Sequence, residues 1–249
     1  MQYKIINMNT NDKLGTHESS KTNKLYGPYE NMTEWKVNSQ FLNKLGQFQI
    51  LFHPLIIPKG LIKTEQEQIL YFHEAILQPV LNALRASFPH LELTFHAEYR
   101  ETGDVATDGD EETTKEVSGR LDLLIKARDT RIQRAGVPIL LYEAKKTGTL
   151  KREEWMNGYC GEGSQGELTG NAAVIQPQLR KYQSLLRSTR IVVGDTINLV
   201  GLKLASGDLI KANSERTLRP KMFITGLKRR FIHTILGVIM ESIREESLT

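Results

Sequence analysis

The chain has 249 residues, of which 39% are hydrophobic and 25% are charged, a composition that allows a folded domain with a sizeable core. No stretch approaches the roughly 18 consecutive apolar residues of a membrane span, and the first residues lack the basic-then-apolar layout of a signal peptide. The single cysteine, Cys160, excludes an internal disulfide framework and a multi-cysteine zinc site. We therefore expect an intracellular protein, nuclear or cytoplasmic, that has no membrane association.

The charge balance suits a polyanionic partner. The 33 basic residues exceed the 29 acidic residues by a formal net charge of +4. The surplus is most concentrated between Arg216 and Arg230, where six basic residues occur and no acidic one. Within this stretch, Lys228, Arg229 and Arg230 are the candidate residues for binding nucleic-acid phosphates. The alternative is an ordinary solvated helix face.

The N-terminal part of the chain shows little periodicity. Residues 1–30 are rich in Asn, Lys, Thr, Ser and Gly, which predicts a mobile or loosely docked arm without chemistry. Residues 32–62 contain more apolar side chains, although prolines interrupt them, and they are expected to cover one side of a core. Residues 1–60 are therefore predicted to form an arm and a packing extension.

The first regular elements are a helix and a strand. Apolar residues at helical spacing predict a helix over 64–88 that begins at Thr64 and is kinked or ended early by Pro79. Alternating apolar and polar residues then predict a half-buried strand that ends near Tyr99. Residues 101–118 are polar and strongly acidic, which indicates a solvated hairpin tip, because their spacing does not match that of a calcium-binding EF-hand loop.

The second half of the chain alternates between strand and helix patterns. The predicted elements are two hairpin strands, a helix, a strand with a candidate partner, and an amphipathic helix, at 119–127, 137–146, 171–187, 190–203, 209–212 and 221–244. We expect an α/β fold with a mixed central sheet flanked by helices. Its core is predicted at 61–214, and a basic amphipathic C-terminal helix at 215–249.

Two acids and a lysine in the predicted hairpin could support phosphodiester chemistry. Asp122 lies among leucines and an isoleucine in the first strand, where a lone carboxylate would be costly unless something compensates it, and a metal ion is one such compensator. Glu143 and Lys145 are two residues apart at the end of the second strand, so both project from the same face. Hard cations such as Mg²⁺ or Mn²⁺ prefer carboxylate ligands, and an ammonium group can position water or stabilise the phosphate.

These residues carry a resemblance to a known family. GRLDLLI at 119–125, ILLYEAKK at 139–146, and a helix that contains Gln178 and Tyr182 together resemble the PD-(D/E)XK nuclease superfamily, most closely its RecB-like branch. The resemblance covers about residues 64–205. It implies a restriction-endonuclease-like αβββαβ core, Mg²⁺ or Mn²⁺ as cofactor, and hydrolysis of phosphodiester bonds in nucleic acid, with DNA favoured over RNA.

The resemblance also implies roles for individual residues. Asp122 and Glu143 would be metal ligands together with the backbone carbonyl of Ala144, and Lys145 would be the catalytic lysine. Gln178 and Tyr182, four residues apart and therefore on one helical face, would support the site or contact the nucleic-acid backbone.

The family often adds a ligand from its first helix. That position points to Glu74 or its neighbour His73 in this chain, while Glu98 on the first predicted strand is a competitor. The residues alone do not decide among the three.

Other interpretations are less favoured. Gly161 to Gly166 match G-x-G-x-x-G but do not follow a strand immediately, so an active-site or surface loop is the better account. Cys160 lacks an indicated histidine partner and is read as a plain thiol. The main alternative function is a catalytically inactive, nuclease-derived module that binds nucleic acid or another partner. A homodimer is compatible with the C-terminal helix, and so is intramolecular packing.

Overall fold

The structure is a computed structural model that describes residues 26–37, 62, 64–106, 114–159, 166–209, 217–226 and 228–248. For 104–106, 114–117 and 228–230 it describes the backbone only. Most of the predicted arm and extension, Cys160 and most of the 161–166 glycine motif lie outside the described residues. Within them, no helix is both long enough and apolar enough to cross a membrane.

The described residues form an α/β fold around one mixed sheet. Its seven strands are β1 (Thr33–Glu34), β2 (Leu91–Ala106), β3 (Thr114–Asp129), β4 (Val137–Ala144), β5 (Arg190–Gly194), β6 (Leu199–Lys203) and β7 (Lys221–Thr225). The strand order is β1-β7-β6-β5-β4-β3-β2. The pairs β4–β5 and β1–β7 are parallel, and the other neighbouring pairs are antiparallel.

Helices pack against both faces of the sheet. They are α1 (Glu65–Tyr71), a π-helical segment (Phe72–Leu77), α2 (Gln78–Ser87), α3 (Arg152–Met156), α4 (Gly170–Leu185) and α5 (Lys228–Glu245). One apolar cluster joins the sheet to α1, the π-helical segment, α2 and α5, and a second joins it to α3 and α4. Because Leu123 belongs to the first cluster and Leu124 to the second, the alternation along β3 separates two cores.

The first predicted helix is confirmed, but Pro79 does not end it. Thr64 caps α1 through a reciprocal capping box with Glu67, as two hydrogen bonds of 3.2 and 2.9 Å show. Helical structure continues to Ser87 because a π-helical segment precedes the proline. In that wider turn the N–H of Gln78 bonds to the carbonyl of His73, which relieves the clash that a proline ring causes in an α-helix.

The polar segment at 101–118 is strand for most of its length, so the predicted end of the first strand near Tyr99 is wrong. β2 and β3 are each 16 residues long, and their pairing continues through Glu101 and Gly119. Leu185 of α4 lies where a Cβ on Gly103 or Gly119 would come within 2.9 Å, so glycine allows this close approach. The backbone ladder forms although these side chains give no apolar alternation. The hairpin tip at 107–113 lies outside the described residues.

The C-terminal elements differ from their predicted boundaries. The predicted helix at 221–244 begins as strand β7, and α5 starts only at Lys228. The predicted strand at 190–203 is two antiparallel strands, β5 and β6, joined by a turn at 195–198. Short apolar runs fit both a strand and a helix. Residues 221–225 form a strand because their backbone pairs with β6. The candidate partner strand at 209–212 lies almost entirely outside the described residues.

The prediction of a loosely docked arm is wrong for its last residues. Tyr26 and Tyr29 are buried, and the hydroxyl of Tyr29 donates to Oε1 of Gln183 at 2.6 Å. Arg180, which is fully buried, donates to the carbonyl of Gly27 at 2.7 Å. The partners lie about 150 residues away in the sequence, so local composition could not indicate this docking.

Candidate active site

Asp122 lies where β3 separates from β4. The last paired residues of the two strands are Leu123 and Tyr142. Further along β4, the amide of Ala144 bonds to a side chain of β3 and not to its backbone. The N–H of Ala144 donates to Oδ2 of Asp122 at 2.7 Å. The carboxylate thus replaces a backbone acceptor at the end of the ladder, which fixes its position beside Glu143.

Glu143 and Lys145 project from the end of β4 toward α4. The Lys145 ammonium donates to Oε1 of Glu143 at 2.7 Å and to Oε1 of Gln178 at 3.2 Å. Nε2 of Gln178 in turn donates to the same Glu143 oxygen at 2.8 Å. The side chains of Glu143 and Lys145 are only 4% and 12% exposed, so this is a largely desolvated cluster.

Tyr182 orients the amide of Gln178. Nε2 of Gln178 donates to the Tyr182 hydroxyl at 2.8 Å, which confirms that the two residues share one face of α4. The hydroxyl donates onward to the backbone carbonyl of Arg120 on β3. Because Tyr182 accepts from the amide nitrogen, the amide oxygen is left facing Lys145. The helix is thereby tied to both strands of the hairpin.

Replacing Tyr182 with phenylalanine is expected to lower the free energy of unfolding by about 1–2 kcal/mol, because the partly buried Gln178 amide and the Arg120 carbonyl each lose a partner. Urea denaturation measures the change. Tyr71→Phe is the matched control, because its hydroxyl makes no hydrogen bond with the described residues, and it should alter stability little. Equal stability of the Tyr182 variant and the wild type would contradict this orienting role.

One carboxylate oxygen of the cluster has no partner. Oε2 of Glu143 is buried and makes no hydrogen bond with the described residues. Burial raises the pKa of Glu143 to about 7, with Lys145 opposing the shift and Asp122 adding to it. Burial also raises the pKa of Asp122, against the hydrogen bond from Ala144. Two desolvated carboxylates with a free oxygen are a donor set that suits a hard divalent cation.

Lys145 stays protonated in this surrounding. Burial alone would lower the pKa of its ammonium, but the attraction of Glu143 and the neighbouring carboxylates outweighs burial and raises the pKa. The group can therefore supply positive charge and hydrogen bonds, and it is poorly suited to accept a proton.

Among the acids of the first helix, the one that acts electrostatically on the cluster is Glu65. Glu74 lies in the π-helical segment, is exposed, and bonds to Nδ1 of His73 at 2.8 Å. Glu74, His73 and Glu98 are absent from the charged groups that act on Asp122, Glu143 and Lys145, whereas Glu65 acts on all three.

The start of the first helix lies beside β4. There Nε2 of Gln68 donates to the Tyr142 hydroxyl at 3.3 Å. The signal available in the sequence was the acidic N-terminal turn, in which Glu65 follows the cap residue Thr64, but acids there are also explained by helix capping. Glu65 is therefore a further candidate for the additional ligand, beside the predicted Glu74, His73 and Glu98.

The other candidate residues are placed as follows. Ala144 is buried, and its amide is the group that holds Asp122. Lys228, Arg229 and Arg230 form the start of α5, and their side chains lie outside the description. Because Lys221 belongs to β7, the basic stretch is not one helix face.

Asp195 was not identified from the sequence. It is fully buried at the end of β5, and its Oδ2 accepts the N–H groups of Gly148 and Leu150 at 3.0 and 3.1 Å. Its Oδ1 accepts the N–H groups of Ile197 and Asn198, both at 2.7 Å. The residue therefore joins the β5–β6 turn to the loop that follows Lys145.

No protein-family model matches this chain, and neither does any curated protein. Among the described residues, no group of three or more His, Cys, Asp or Glu side chains has the geometry of a metal site. The candidate site consists instead of Asp122 and Glu143 in contact with a backbone amide, a lysine and an amide side chain.

Proposed function

We propose that this protein is a divalent-metal-dependent nuclease with a restriction-endonuclease-like core, and that DNA is favoured over RNA as its substrate. The order of elements supports the proposal. A helical region is followed by the antiparallel strands β2, β3 and β4, then by α4, and then by β5, which is parallel to β4. This is the αβββαβ order that the resemblance implies.

The observation that carries the proposal is the unpartnered oxygen of Glu143. A buried ionised carboxylate is costly unless it is compensated, and Lys145 and Gln178 both bond to the other oxygen of that group. Asp122 is held nearby by Ala144. A Mg²⁺ or Mn²⁺ ion held by Asp122 and Glu143, with Glu65 near, would satisfy this oxygen.

Each residue of the cluster then has a distinct task in hydrolysis. A bound divalent cation supplies Lewis acidity toward the phosphate and the attacking water. Water adds its oxygen to phosphorus, the ester P–O bond breaks, one proton of the water passes to a basic group, and the leaving oxygen takes up a proton. Lys145 contributes positive charge toward the phosphate oxygens, because its ammonium stays protonated. Gln178 bonds to both the Lys145 ammonium and the Glu143 carboxylate and so holds the two groups beside each other.

The direct test is cleavage of labelled single-stranded DNA, double-stranded DNA and RNA in the presence of Mg²⁺, Mn²⁺ or EDTA. We expect cutting that requires the metal and that falls by about 100- to 1,000-fold in Lys145→Ala, the range for losing one electrostatic contact to a transition state. Lys146→Ala is the matched control, because that neighbouring lysine is exposed and makes no contact with the cluster. It should cut like the wild type.

The same assay separates the two functions. Absence of cutting of any substrate under any metal, together with salt-sensitive binding, would exclude the nuclease and favour the inactive binding module.

A further inference from the structure

Helix α4 holds a second buried lysine beside the cluster. Lys181 is 1% exposed, and its ammonium makes no hydrogen bond or ion pair with the described part of the chain. It lies 5.8 Å from the ring centroid of Tyr182 and interacts electrostatically with Glu143. It also lies three residues after Gln178, so the two are neighbours on the helix surface.

A desolvated ammonium is unfavourable for folding unless its charge is compensated. Burial lowers the pKa of Lys181, and only Glu143 acts in the opposite direction. The contrast with Lys145 is direct, because Lys145 has two hydrogen-bond acceptors. An apolar side chain of similar length would fill the same space at lower cost, so packing does not require a lysine at this position.

The charges around Glu143 indicate what an extra cation could serve. Three carboxylates act here, from Glu65, Asp122 and Glu143, and Lys145 and Lys181 are the cations that interact with Glu143. Arg120 acts on Asp122 as well, so the three carboxylates and the three cations balance when all are ionised. A divalent cation would then leave a net positive charge, which suits a phosphodiester anion. Lys181 contributes one unit of that positive charge.

We propose that Lys181 is a substrate-binding residue whose ammonium donates to a phosphate oxygen of the nucleic acid that enters beside Glu143. This inference rests on the proposed nuclease function. A phosphate group would give the ammonium an anionic acceptor, which none of the described residues supplies at hydrogen-bond distance. The lysine stem is long and flexible enough to present its charge to a ligand while its methylene groups remain packed.

The test uses Lys181→Met in the full chain and requires no metal. Binding of a fluorescein-labelled single-stranded DNA oligonucleotide is measured by anisotropy in EDTA over a range of salt concentrations. We expect Kd to rise about tenfold, as for the loss of one charge-assisted hydrogen bond. The slope of log Kd against log salt should fall by about 0.7, the value for one phosphate contact on a single strand.

Stability is the second measurement. Lys181→Met should unfold at the same urea concentration as the wild type or at a higher one, because a desolvated charge has been removed. Lys181→Arg retains the charge and should retain the salt slope. Lys36→Met is the control, since that side chain is 82% exposed beside β1, and it should change neither Kd nor stability.

Two results would overturn the assignment. An unchanged Kd and salt slope in Lys181→Met would show that no phosphate contacts this residue. Loss of folding or a lower urea midpoint in both Lys181→Met and Lys181→Gln would show a structural lysine instead.

If the wild type cuts no substrate but Lys181→Met still weakens binding, the nuclease function fails while the phosphate contact stands. If the wild type cuts and binding is unchanged, only the role of Lys181 fails.

Discussion

Glutamine in place of Glu143 is expected to abolish stabilisation of the protein by Mg²⁺ and to lower the cleavage rate by about 1,000-fold. The substitution preserves the shape of the side chain but removes the anionic oxygen that has no partner in the structure. Without a second carboxylate, Asp122 alone would bind a divalent cation weakly. The change in melting temperature on adding Mg²⁺ and the rate of DNA cutting measure the two effects.

Glu153→Gln is the matched control for this substitution, because Glu153 is exposed on α3 and has no contact with the cluster. It should respond to Mg²⁺ like the wild type. A Glu143→Gln protein that keeps both the Mg²⁺-induced increase in melting temperature and the cutting rate would remove Glu143 from the metal site.

The pH dependence of the wild type should follow the raised pKa of Glu143. The folded protein holds a proton on this group up to about pH 7, whereas the unfolded chain releases it near the ordinary value of 4.5. The contribution of Glu143 to the free energy of unfolding without metal should therefore fall as pH rises from about 4.5 through 7. Metal binding needs the ionised group, so the Mg²⁺-induced stabilisation should grow as pH rises through 7. Glu143→Gln should lose both dependences.

Alanine in place of Asp195 is expected to lower the free energy of unfolding by about 3 kcal/mol or more. Four backbone N–H groups, two in the β5–β6 turn and two in the loop after Lys145, would lose their acceptor together. Leaving one buried group unpaired typically costs about 1–3 kcal/mol. Urea denaturation measures the loss.

Asp195→Asn is the informative comparison. Its amide retains one acceptor oxygen, which can serve one pair of N–H groups but not both pairs. An intermediate stability is therefore expected. If Asp195→Ala unfolded at the wild-type urea concentration, the loop after β4 would not depend on this carboxylate. Because the N–H of Lys145 bonds to the carbonyl of Gly194, the residue before Asp195, a weakened loop should also reduce the activity that depends on Lys145.

Local pattern in the sequence was sufficient for the central part of the fold. Apolar runs and a polar turn predicted the hairpin of β3 and β4, and helical spacing predicted α4 between β4 and β5. These predictions succeeded because the side-chain periods of strands and helices are properties of neighbouring residues. The same regularity predicted that Glu143 and Lys145 share one face, and that Gln178 and Tyr182 share another.

Other features depended on contacts between separate elements. The docking of Tyr29 uses hydrogen bonds to residues far away in the chain. The pairing of β7 with β6 and the extension of β2 along β3 use backbone partners in a neighbouring strand. Nothing in the local composition of these segments distinguishes such a strand from a loop or a helix end. These segments have regular structure because other parts of the chain supply their hydrogen-bond partners.

The sequence by itself determined which residue types could form the candidate site, namely a carboxylate within one strand and an E-x-K at the end of the next. Only the tertiary structure decided how those groups are held. It placed the N–H of Ala144 against Asp122, gave Glu65 an electrostatic interaction with the cluster, and left Oε2 of Glu143 without a hydrogen bond to the described residues. The physical reason is that desolvation and electrostatic coupling depend on distances between chain segments, which spacing along one strand or helix does not contain.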